Sequence, residues 1–508
     1  MRIVFLYPAW TGEYGLFGHF AKRNSTWPPL SLALLGAVCE QAGHEVTILD
    51  GEANGWKKKR LAQEALKSKP NIIGLTAYSP FFHLTCDVAA EIKKLNPDIP
   101  IMVGGPHITI MKEEALLSQF DYGFMGEAEK SLPEFLNQYQ HLSGRRYFLG
   151  GEMAFDVRGL LYRRHGQIKN TGEVWLRDTA MRKSELGGQY PLDDIPLPAR
   201  HLLPMRKYKL GTPAGRNPFT SLQTSRGCYW DCCFCASDAL KTRRVIMKSP
   251  RRVIEEMCQI ADKWPFITHL YIVDDVLTFW PEHITEIVDR MDAEGLKFTF
   301  ESSTRANLVD DKLIARLARS GLIRLSFGLE TIDPKMRVTM GKKIPIEAYS
   351  VANRICTRNG VEAMNSLMIG LPGETKETIR ATLEWVANQR DIKQANLAIA
   401  IPYPGTEFHE MAVMGSHGLK LLTSDFREYL RYGHAVTNVG DLTAQDLIDE
   451  QNRGFVMIYL KPWRWGPVYA KHGTLGFLLQ MCRVLKLWWK IFLKWWPLQP
   501  VMRHPKEI

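Results

Sequence analysis

Four cysteines lie close together in the stretch RGCYWDCCFCASD, which begins at Arg226. They are Cys228, Cys232, Cys233 and Cys235. The chain has nine cysteines, and those outside this stretch stand singly, so their pattern does not indicate a disulfide framework. Several thiols at this density indicate either a bound metal or a redox centre.

Spacing narrows the chemistry of this stretch without deciding it. A structural zinc site usually takes two ligand pairs, but the sequence offers no second pair, and His201 and His269 stand alone. A redox dithiol of Cys232 and Cys235 would leave Cys228 unexplained. Three cysteines on one loop suit a cubane iron–sulfur cluster with one iron free of protein ligands. That iron would be a binding place for a substrate or cofactor.

The first part of the chain alternates strand-like and helix-like segments. The predicted strands are Ile3–Pro8, Glu45–Asp50, Asn71–Ser79, Ile101–Pro106 and Asp121–Gly126. Apolar strands joined by helices predict a doubly wound parallel sheet, which binds ligands beyond the carboxyl ends of its strands. Those ends carry the sequences YPAW, TAYSP, VGGPH and MGEAE.

A second series of strands and helices begins near Phe219. A predicted hairpin at Gly159–Asn170 and a proline-rich, extended linker at Pro191–Pro204 precede it. The predicted strands of the second series are Phe219–Thr224, Thr268–Val273, Lys297–Ser302, Ile323–Gly328, Glu362–Ile369 and Gln394–Ile401. Six such units predict a partial TIM-type barrel of six strand–helix pairs, with its active site at the carboxyl ends of the strands. The cysteine stretch follows the first of these strands.

The spacing C-x-x-x-C-x-x-C, with Phe234 before the last cysteine, resembles the signature of the radical S-adenosylmethionine (SAM) superfamily. The resemblance implies that Cys228, Cys232 and Cys235 are the catalytic metal ligands of a [4Fe–4S] cluster whose free iron binds SAM. Cys233 falls outside the pattern. The family surrounds SAM with motifs at later strand ends, here VDDVLTF, FESSTR, SFGLET and LMIGLPGET. The residues implied by these motifs are Asp274, Asp275, Glu301, Ser302, Arg305, Ser326, Glu330 and Gly370.

The first domain resembles that of one subgroup, the cobalamin-binding radical SAM enzymes. The similar segments are WPPLSLALLGAVCEQAGHEVTILDGE, IMVGGPHIT, GFMGEAEKSLPEFL and DDIPLPAR. This subgroup includes the anaerobic magnesium-protoporphyrin monomethyl ester cyclase, hopanoid-modifying enzymes and C- and P-methyltransferases. The resemblance implies cobalamin between the domains, near Tyr7, Thr76, Ser79, Gly104, Gly105, His107, Gly126 and Glu127. The D-x-H-x-x-G motif, whose histidine ligates cobalt, does not occur in this sequence.

We therefore predict four parts: a cobalamin-binding-like domain over 1–145, a hairpin and linker over 146–212, a radical SAM barrel over 213–410 and a helical region over 411–508. The expected activity is methylation or another modification of an unactivated carbon in a hydrophobic small molecule, such as a lipid, isoprenoid or tetrapyrrole. A flavodoxin or ferredoxin is the expected reductant. One alternative is a cobalamin-independent oxidative cyclase or carbon–carbon bond-forming enzyme, and another is a zinc-binding, membrane-associated scaffold.

Charge and hydropathy bear on partners and location. The net charge is +11, but no nucleic-acid-binding motif accompanies it, so we expect no nucleic-acid partner. The amino-terminal sequence has no signal-peptide pattern, which predicts a cytoplasmic protein. Near the carboxyl end, Arg483, Lys486, Lys490 and Lys494 fall on one helical face among Leu and Trp. This helix is predicted either to lie on the inner face of an anionic membrane or to pack on the barrel.

Overall fold

The computed structural model describes residues 1–13, 26–149, 154–176, 190–237, 239–240 and 245–495, and for 143–149 it describes the backbone alone. The side chains of Arg483, Lys490 and Lys494 lie outside the described part of the chain, although their backbone is described.

The first domain is built on a seven-stranded sheet with the order β2-β1-β3-β4-β5-β6-β7. Its strands are β1 Arg2–Tyr7, β2 Glu45–Asp50, β3 Ile72–Thr76, β4 Ile101–Gly104, β5 Tyr122–Phe124, β6 Leu160–Arg164 and β7 Gln167–Asn170. Strands β1 to β5 are parallel, and the predicted hairpin, β6 and β7, extends the sheet in the antiparallel sense. All five residues of β3 are buried, as expected for a central strand covered on both faces.

Helices cover both faces of this sheet. They are α1 Leu30–Gln41, α2 Gly51–Asn54, α3 Lys58–Lys67, α4 Phe82–Leu95, α5 Pro106–Met111 and α6 Ala128–Leu149. The two faces bury separate apolar clusters, one that includes Leu32 and Phe135 and another that includes Leu61 and Val88. The predicted doubly wound α/β domain is confirmed.

The second domain contains another seven-stranded sheet, with the order β16-β15-β14-β13-β12-β9-β8. Its strands are β8 Lys209–Thr212, β9 Gly215–Leu222, β12 His269–Ile272, β13 Thr299–Thr304, β14 Leu322–Glu330, β15 Glu362–Ile369 and β16 Ile392–Ile399. A separate antiparallel pair of short strands, β10 Ser225–Arg226 and β11 Ile246–Met247, follows β9. Six strands, β9 and β12 to β16, are parallel, whereas β8 pairs antiparallel to β9. The predicted partial barrel is confirmed.

The helices of the barrel follow its strands. They are α7 Pro250–Lys263, α8 Pro281–Ala293, α9 Asp311–Arg319, α10 Pro334–Thr339, α11 Ile346–Arg358 and α12 Lys376–Asn388. The side-chain amide of Asn365 in β15 donates a hydrogen bond to the side-chain oxygen of Asn353 in α11. Because side chains alternate along a strand, Glu362 and Ser366 face the opposite, inner side of β15.

The proline-rich stretch between the domains differs from the predicted extended linker. It folds into short 3₁₀ turns, including Pro191–Asp194 and Arg200–Leu202. Arg200 is fully buried and pairs with Glu256 at 2.6 Å, while Lys248 pairs with the same carboxylate at 2.5 Å. A buried charge needs such partners, and they fix this stretch against α7.

The last part of the chain contains α13 Glu407–Met414, the hairpin strands β17 Leu419–Leu421 and β18 Thr437–Val439, and the helices α14 Ala444–Tyr459 and α15 Trp465–Trp495. Helix α15 is interrupted at Gly473, whose φ is 67°, and packs against α14, β8 and β9. Within the described residues, we find no helix with the length and apolar character needed to cross a bilayer.

Candidate active site

The cysteine loop begins directly after β10, at the carboxyl end of β9. Cys228, Cys232 and Cys235 are partly buried free thiols on this loop. Cys233 is different, because its side chain is only 3% exposed and belongs to the apolar core. The backbone of Cys233 is held on both sides, since its N–H donates to Met340 and its carbonyl accepts from Phe408. The loop thus presents the three predicted ligands and turns the fourth cysteine away.

Burial favours the protonated form of three thiols of the loop, those of Cys228, Cys232 and Cys233. Burial raises the pKa of Cys228 to about 11 and that of Cys233 to about 12. Burial also raises the pKa of Cys232, although the positive charges of Lys342 and Arg305 oppose that rise. A bound metal would therefore displace protons here, as metal–thiolate binding generally does.

The arrangement of the thiols bears on which metal fits. Among the residues described, no group of three or more His, Cys, Asp or Glu side chains is arranged to hold a single metal ion. A closed zinc site needs four ligands around one ion. A cubane cluster does not require its cysteines to surround one ion, because each cysteine ligates a separate iron. The three partly buried thiols on one loop fit that requirement.

The two aspartates after β12 have different surroundings. Asp274 is buried and accepts hydrogen bonds from the Thr224 N–H and hydroxyl and from the Ser225 hydroxyl. It therefore holds the start of the cysteine loop. Asp275 is exposed and accepts the Gly227 N–H at 3.0 Å, directly beside Cys228. Of the pair, Asp275 is the one placed at the loop surface.

Glu301 and Ser302 are not brought to the predicted SAM-binding edge. Glu301 is buried on the inner face of β13 and pairs with Arg324 of β14 at 2.5 Å, while Arg324 also pairs with Glu362 of β15 at 2.8 Å. This charged row crosses the strands towards their amino ends. The Ser302 hydroxyl donates to the Ile272 carbonyl at 2.8 Å. Both side chains are used by the barrel because a buried charge or hydroxyl requires a partner.

Three other predicted residues lie near the cysteine loop or face the barrel interior. The Arg305 guanidinium stacks over the ring of Trp230, which is part of the loop, at 3.9 Å. Glu330, at the end of β14, pairs with Lys342 at 2.8 Å, and both side chains are buried. Ser326 is buried on β14 two residues beyond Arg324 and therefore shares its inner face.

Gly370 lies at the end of β15, in the glycine-rich turn. Its φ is 85°, a value that favours glycine, and its N–H donates to Glu374. The N–H of Leu371 donates to the same carboxyl oxygen at 3.0 Å. Burial raises the pKa of Glu374 to about 8. Glu374 was not predicted as a site residue, although its place in the motif GLPGE was visible, and it fixes the turn.

A cavity of about 550 Å³ lies between the two domains. Six of the eight residues predicted in the first domain line it: Tyr7, Thr76, Gly104, Gly105, Gly126 and Glu127. A side chain at Gly105 would approach the Ala77 carbonyl at 2.9 Å, so only glycine fits there. The barrel contributes Ser221, Gln223 and Val273 to the opposite wall. The cavity therefore joins the carboxyl ends of both sheets.

The remaining two predicted residues lie behind the cavity wall. His107 is buried, its Nδ1 lies 3.0 Å from the Ser79 hydroxyl, and its ring packs on Phe82 and Phe426. Burial lowers the pKa of His107 to about 4, so the imidazole is neutral. No histidine is among the described residues that line the cavity. The described part of this wall therefore presents no histidine to a corrin.

Arg226 connects the cavity to the cysteine loop and was not predicted. Its guanidinium pairs with Glu127 at 2.9 Å and with Glu129 at 2.8 Å, both in the first domain. Arg226 also lines the cavity and stands two residues before Cys228. The same interface contains Trp27, whose ring meets Tyr271 of the barrel edge-on at 4.4 Å. The arginine is visible in the sequence RGC, but the neighbouring sequence does not indicate which residues it pairs with.

Comparison with known proteins agrees with this architecture. Residues 19–136 match the B12 binding domain family, and residues 222–386 match the radical SAM superfamily. An uncharacterized methyltransferase of Pyrococcus horikoshii is 30% identical over 441 residues, which cover 86% of this chain and 89% of that protein. The cytidylyl-2-hydroxyethylphosphonate methyltransferase of Streptomyces wedmorensis is 25% identical, with 80% of each chain covered. The hopanoid C-3 methylase of Methylococcus capsulatus is 26% identical, with 78% and 70% covered.

Solved structures share the fold. The methyltransferase TsrM of Kitasatospora setae, with cobalamin and a [4Fe–4S] cluster bound, aligns with a TM-score of 0.65 at 19% identity, over 85% of this chain and 82% of that one. The cobalamin-dependent enzyme OxsB aligns with a TM-score of 0.68 at 15% identity, over 97% and 73%. Together with the two sheets, the shared cavity and the three-cysteine loop, these matches show that the chain belongs to the radical SAM enzymes that carry a B12 binding domain.

Proposed function

We propose that this chain is a cobalamin-dependent radical SAM methyltransferase acting on an unactivated carbon of a small, largely apolar molecule. The observation that carries the proposal is the cavity between the domains, which has glycine strand ends on one wall and Arg226 of the cysteine loop on the other. When bound, the cluster would supply an electron that cleaves SAM to a deoxyadenosyl radical, and cobalamin would supply the methyl group.

Different residues of the chain would bind the cluster, SAM and the corrin. Cys228, Cys232 and Cys235 would hold the cluster, with Asp275 and Arg305 beside it for SAM. Gly104 and Gly105 would let the corrin approach the backbone of β4 closely. Arg226, through Glu127 and Glu129, keeps the two binding regions at a fixed separation. Trp27 and other apolar residues exclude water from the cavity between them.

A radical oxidative cyclase is the alternative, because relatives of this chain include the anaerobic magnesium-protoporphyrin IX monomethyl ester cyclase of Rubrivivax gelatinosus, at 24% identity. Methyl transfer is favoured because the Pyrococcus relative, which is the more similar one, is named a methyltransferase. The two reactions give different products, since one adds a methyl group and the other removes hydrogens.

The test begins with chain purified anaerobically from cells grown with cobalamin. The visible spectrum should show both an iron–sulfur cluster and a corrin. With SAM, a flavodoxin or ferredoxin system and candidate apolar substrates, mass spectrometry should detect product carrying one added methyl group, labelled when the SAM methyl is deuterated. Cys232→Ala is the control and should form neither deoxyadenosine nor product. Product that has lost two hydrogens and gained no label would overturn methyl transfer.

Helix α15 supports the further proposal that the enzyme docks on an anionic membrane. Its large apolar residues are exposed, notably Leu475, Leu478, Leu479, Leu485, Trp488 and Trp489. The sequence has no acidic residue between Glu450 and Glu507, so all the charged side chains of this segment are basic. Apolar and aromatic residues with basic neighbours bind the interface of anionic lipid bilayers. Such docking would bring the enzyme close to apolar substrates.

Flotation with vesicles tests the docking surface. The full chain should float with phosphatidylglycerol vesicles at low salt and much less with phosphatidylcholine vesicles. Truncation after Thr474 removes the exposed residues and should abolish flotation while iron content stays unchanged. A truncated chain that floats as well as the full chain would exclude α15 as the membrane-binding element.

A further inference from the structure

A buried positive charge lies directly behind the cysteine loop. The Lys342 ammonium pairs with Glu330 at 2.8 Å, and their side chains are only 7% and 8% exposed. The same ammonium lies 5.8 Å from the ring centroid of Phe234, between Cys233 and Cys235 in sequence. Burial opposes the charge on Lys342, but the neighbouring groups together, Glu330 foremost among them, raise the pKa of Lys342 above its usual value. The lysine is therefore a fixed cation beside the loop.

The backbone around this pair is shaped to hold it. Glu330 has a φ of 64°, a conformation that is costly for a residue with a side chain and is found where surrounding contacts impose it. A side chain at Gly328 would come within 2.4 Å of the Glu330 carboxyl and 2.8 Å of the Lys342 ammonium. Glycine at position 328 thus leaves the space that the ion pair fills.

The turn that carries Lys342 is fixed to the cysteine loop itself. The Met340 carbonyl accepts the Cys233 N–H at 3.2 Å. Gly341 has a φ of 70°, and a side chain there would meet the Asp231 carbonyl at 2.8 Å. The turn is thus hydrogen-bonded to the loop after Cys232 and closely packed on it before Cys232, which limits how far the ammonium can move relative to that thiol.

We propose that Lys342 is a positioning residue that raises the reduction potential of the iron–sulfur cluster held by the cysteine loop. A nearby positive charge stabilises a centre more after it has gained an electron than before. Glu330 holds the ammonium in place and partly offsets its charge. One electron passes from the donor to the cluster, the donor is oxidised by one electron, and no proton moves at Lys342. This inference rests on the proposed function, since it requires a cluster at the loop.

A redox titration without SAM or substrate tests the proposal. The full chain with reconstituted cluster is poised with dithionite and mediators, and the reduced cluster is measured by electron paramagnetic resonance. Lys342→Met should decrease the ratio of reduced to oxidised cluster about tenfold at a given potential, a shift of about 59 mV for a one-electron couple. Lys342→Arg keeps the charge and should titrate close to the wild type. Glu330→Gln should shift the potential in the opposite direction.

Lys343→Met is the matched control, because it removes the same charge from the next residue, which is exposed. Its potential should equal that of the wild type, since solvent screens an exposed charge. A full complement of iron with an unchanged potential in Lys342→Met would overturn the proposal. Loss of iron in that variant would also overturn it and make Lys342 an assembly residue. A wild-type chain that binds no cluster would instead refute the proposed function.

Discussion

The two seven-stranded sheets meet at the same cavity but offer it different chemistry. The first sheet contributes glycines and apolar side chains, so its edge is open, and the two carboxylates of the first domain there, Glu127 and Glu129, are paired with Arg226. The barrel contributes the cysteine loop and, beside it, the buried pair of Glu330 and Lys342, whereas the pair of Glu301 and Arg324 lies deeper, towards the amino ends of the strands. One wall therefore provides space for a large ligand, whereas the other provides fixed charges around the cysteines.

The largest expected effect concerns the cysteine loop of the barrel. Cys232→Ala should lose the cluster, because it removes an iron ligand, whereas Cys233→Ala should keep full iron and should be destabilised by only about 1 kcal/mol through loss of a buried atom. Iron and sulfide content after anaerobic reconstitution measures both. A Cys233→Ala chain without iron would show that the loop uses a different set of cysteines.

The link between the two sides is the next target. Arg226→Met would leave Glu127 and Glu129 buried without their cation, and we expect a loss of about 3 to 5 kcal/mol in the free energy of unfolding. Arg290→Met removes an exposed pair with Glu286 and should change that free energy by less than about 0.5 kcal/mol. Urea denaturation of both variants makes the comparison. Equal midpoints would mean that Arg226 does not hold the domains together.

Gly104→Val tests the cavity wall that the first sheet forms. A Cβ at Gly104 makes ordinary contacts, 3.5 Å from the Phe124 Cβ, so we expect the fold to tolerate a larger residue that reduces the cavity. Corrin content should fall severalfold while iron content stays at the wild-type level. The ratio of the two visible absorbances reports the result. Unchanged corrin would place the cofactor elsewhere than the wall at β4.

The smallest effect is a pH dependence from the turn after β15. The folded pKa of Glu374 is about 8, above the usual value of 4.5, because of burial. The folded chain then binds more protons than the unfolded chain between these values, so Glu374 makes stability fall as pH rises from about 5 to 8. Glu374→Gln should reduce this slope, as measured by denaturation at pH 6 and pH 8. A slope identical to that of the wild type would mean that Glu374 does not titrate there.

The sequence predicted the strands of both sheets and the cavity residues of the first domain better than it predicted the charged residues of the barrel. Both sheets followed from alternating apolar runs, and six of the eight residues predicted in the first domain line the cavity. Strand ends of parallel sheets meet at one edge, so their placement depends only on local pattern and topology. The resemblance to the radical SAM signature also set Cys233 apart from the other three cysteines.

Carboxylates were harder to assign because their partners come from distant segments. Asp274 and Glu301 were predicted near SAM, but one holds Thr224 and Ser225 and the other pairs with Arg324. A buried carboxylate must find a cation or donors, and the choice depends on three-dimensional packing. For the same reason, the sequence did not predict the roles of Arg226 and Lys342. Each role depends on partners that are distant in the sequence and close in the fold.

Arg464 has a consequence for how the whole enzyme could be oriented. It is fully buried, and it donates hydrogen bonds to carbonyls at the end of α12 and at Ile392, where β16 begins. Helix α15 therefore starts from a rigid joint at the amino-terminal end of the barrel strands, the end opposite to the cysteines. An enzyme resting on a bilayer at this joint would direct its active site towards the aqueous side. A substrate taken from that bilayer would then have to leave it before reaching the cysteine loop.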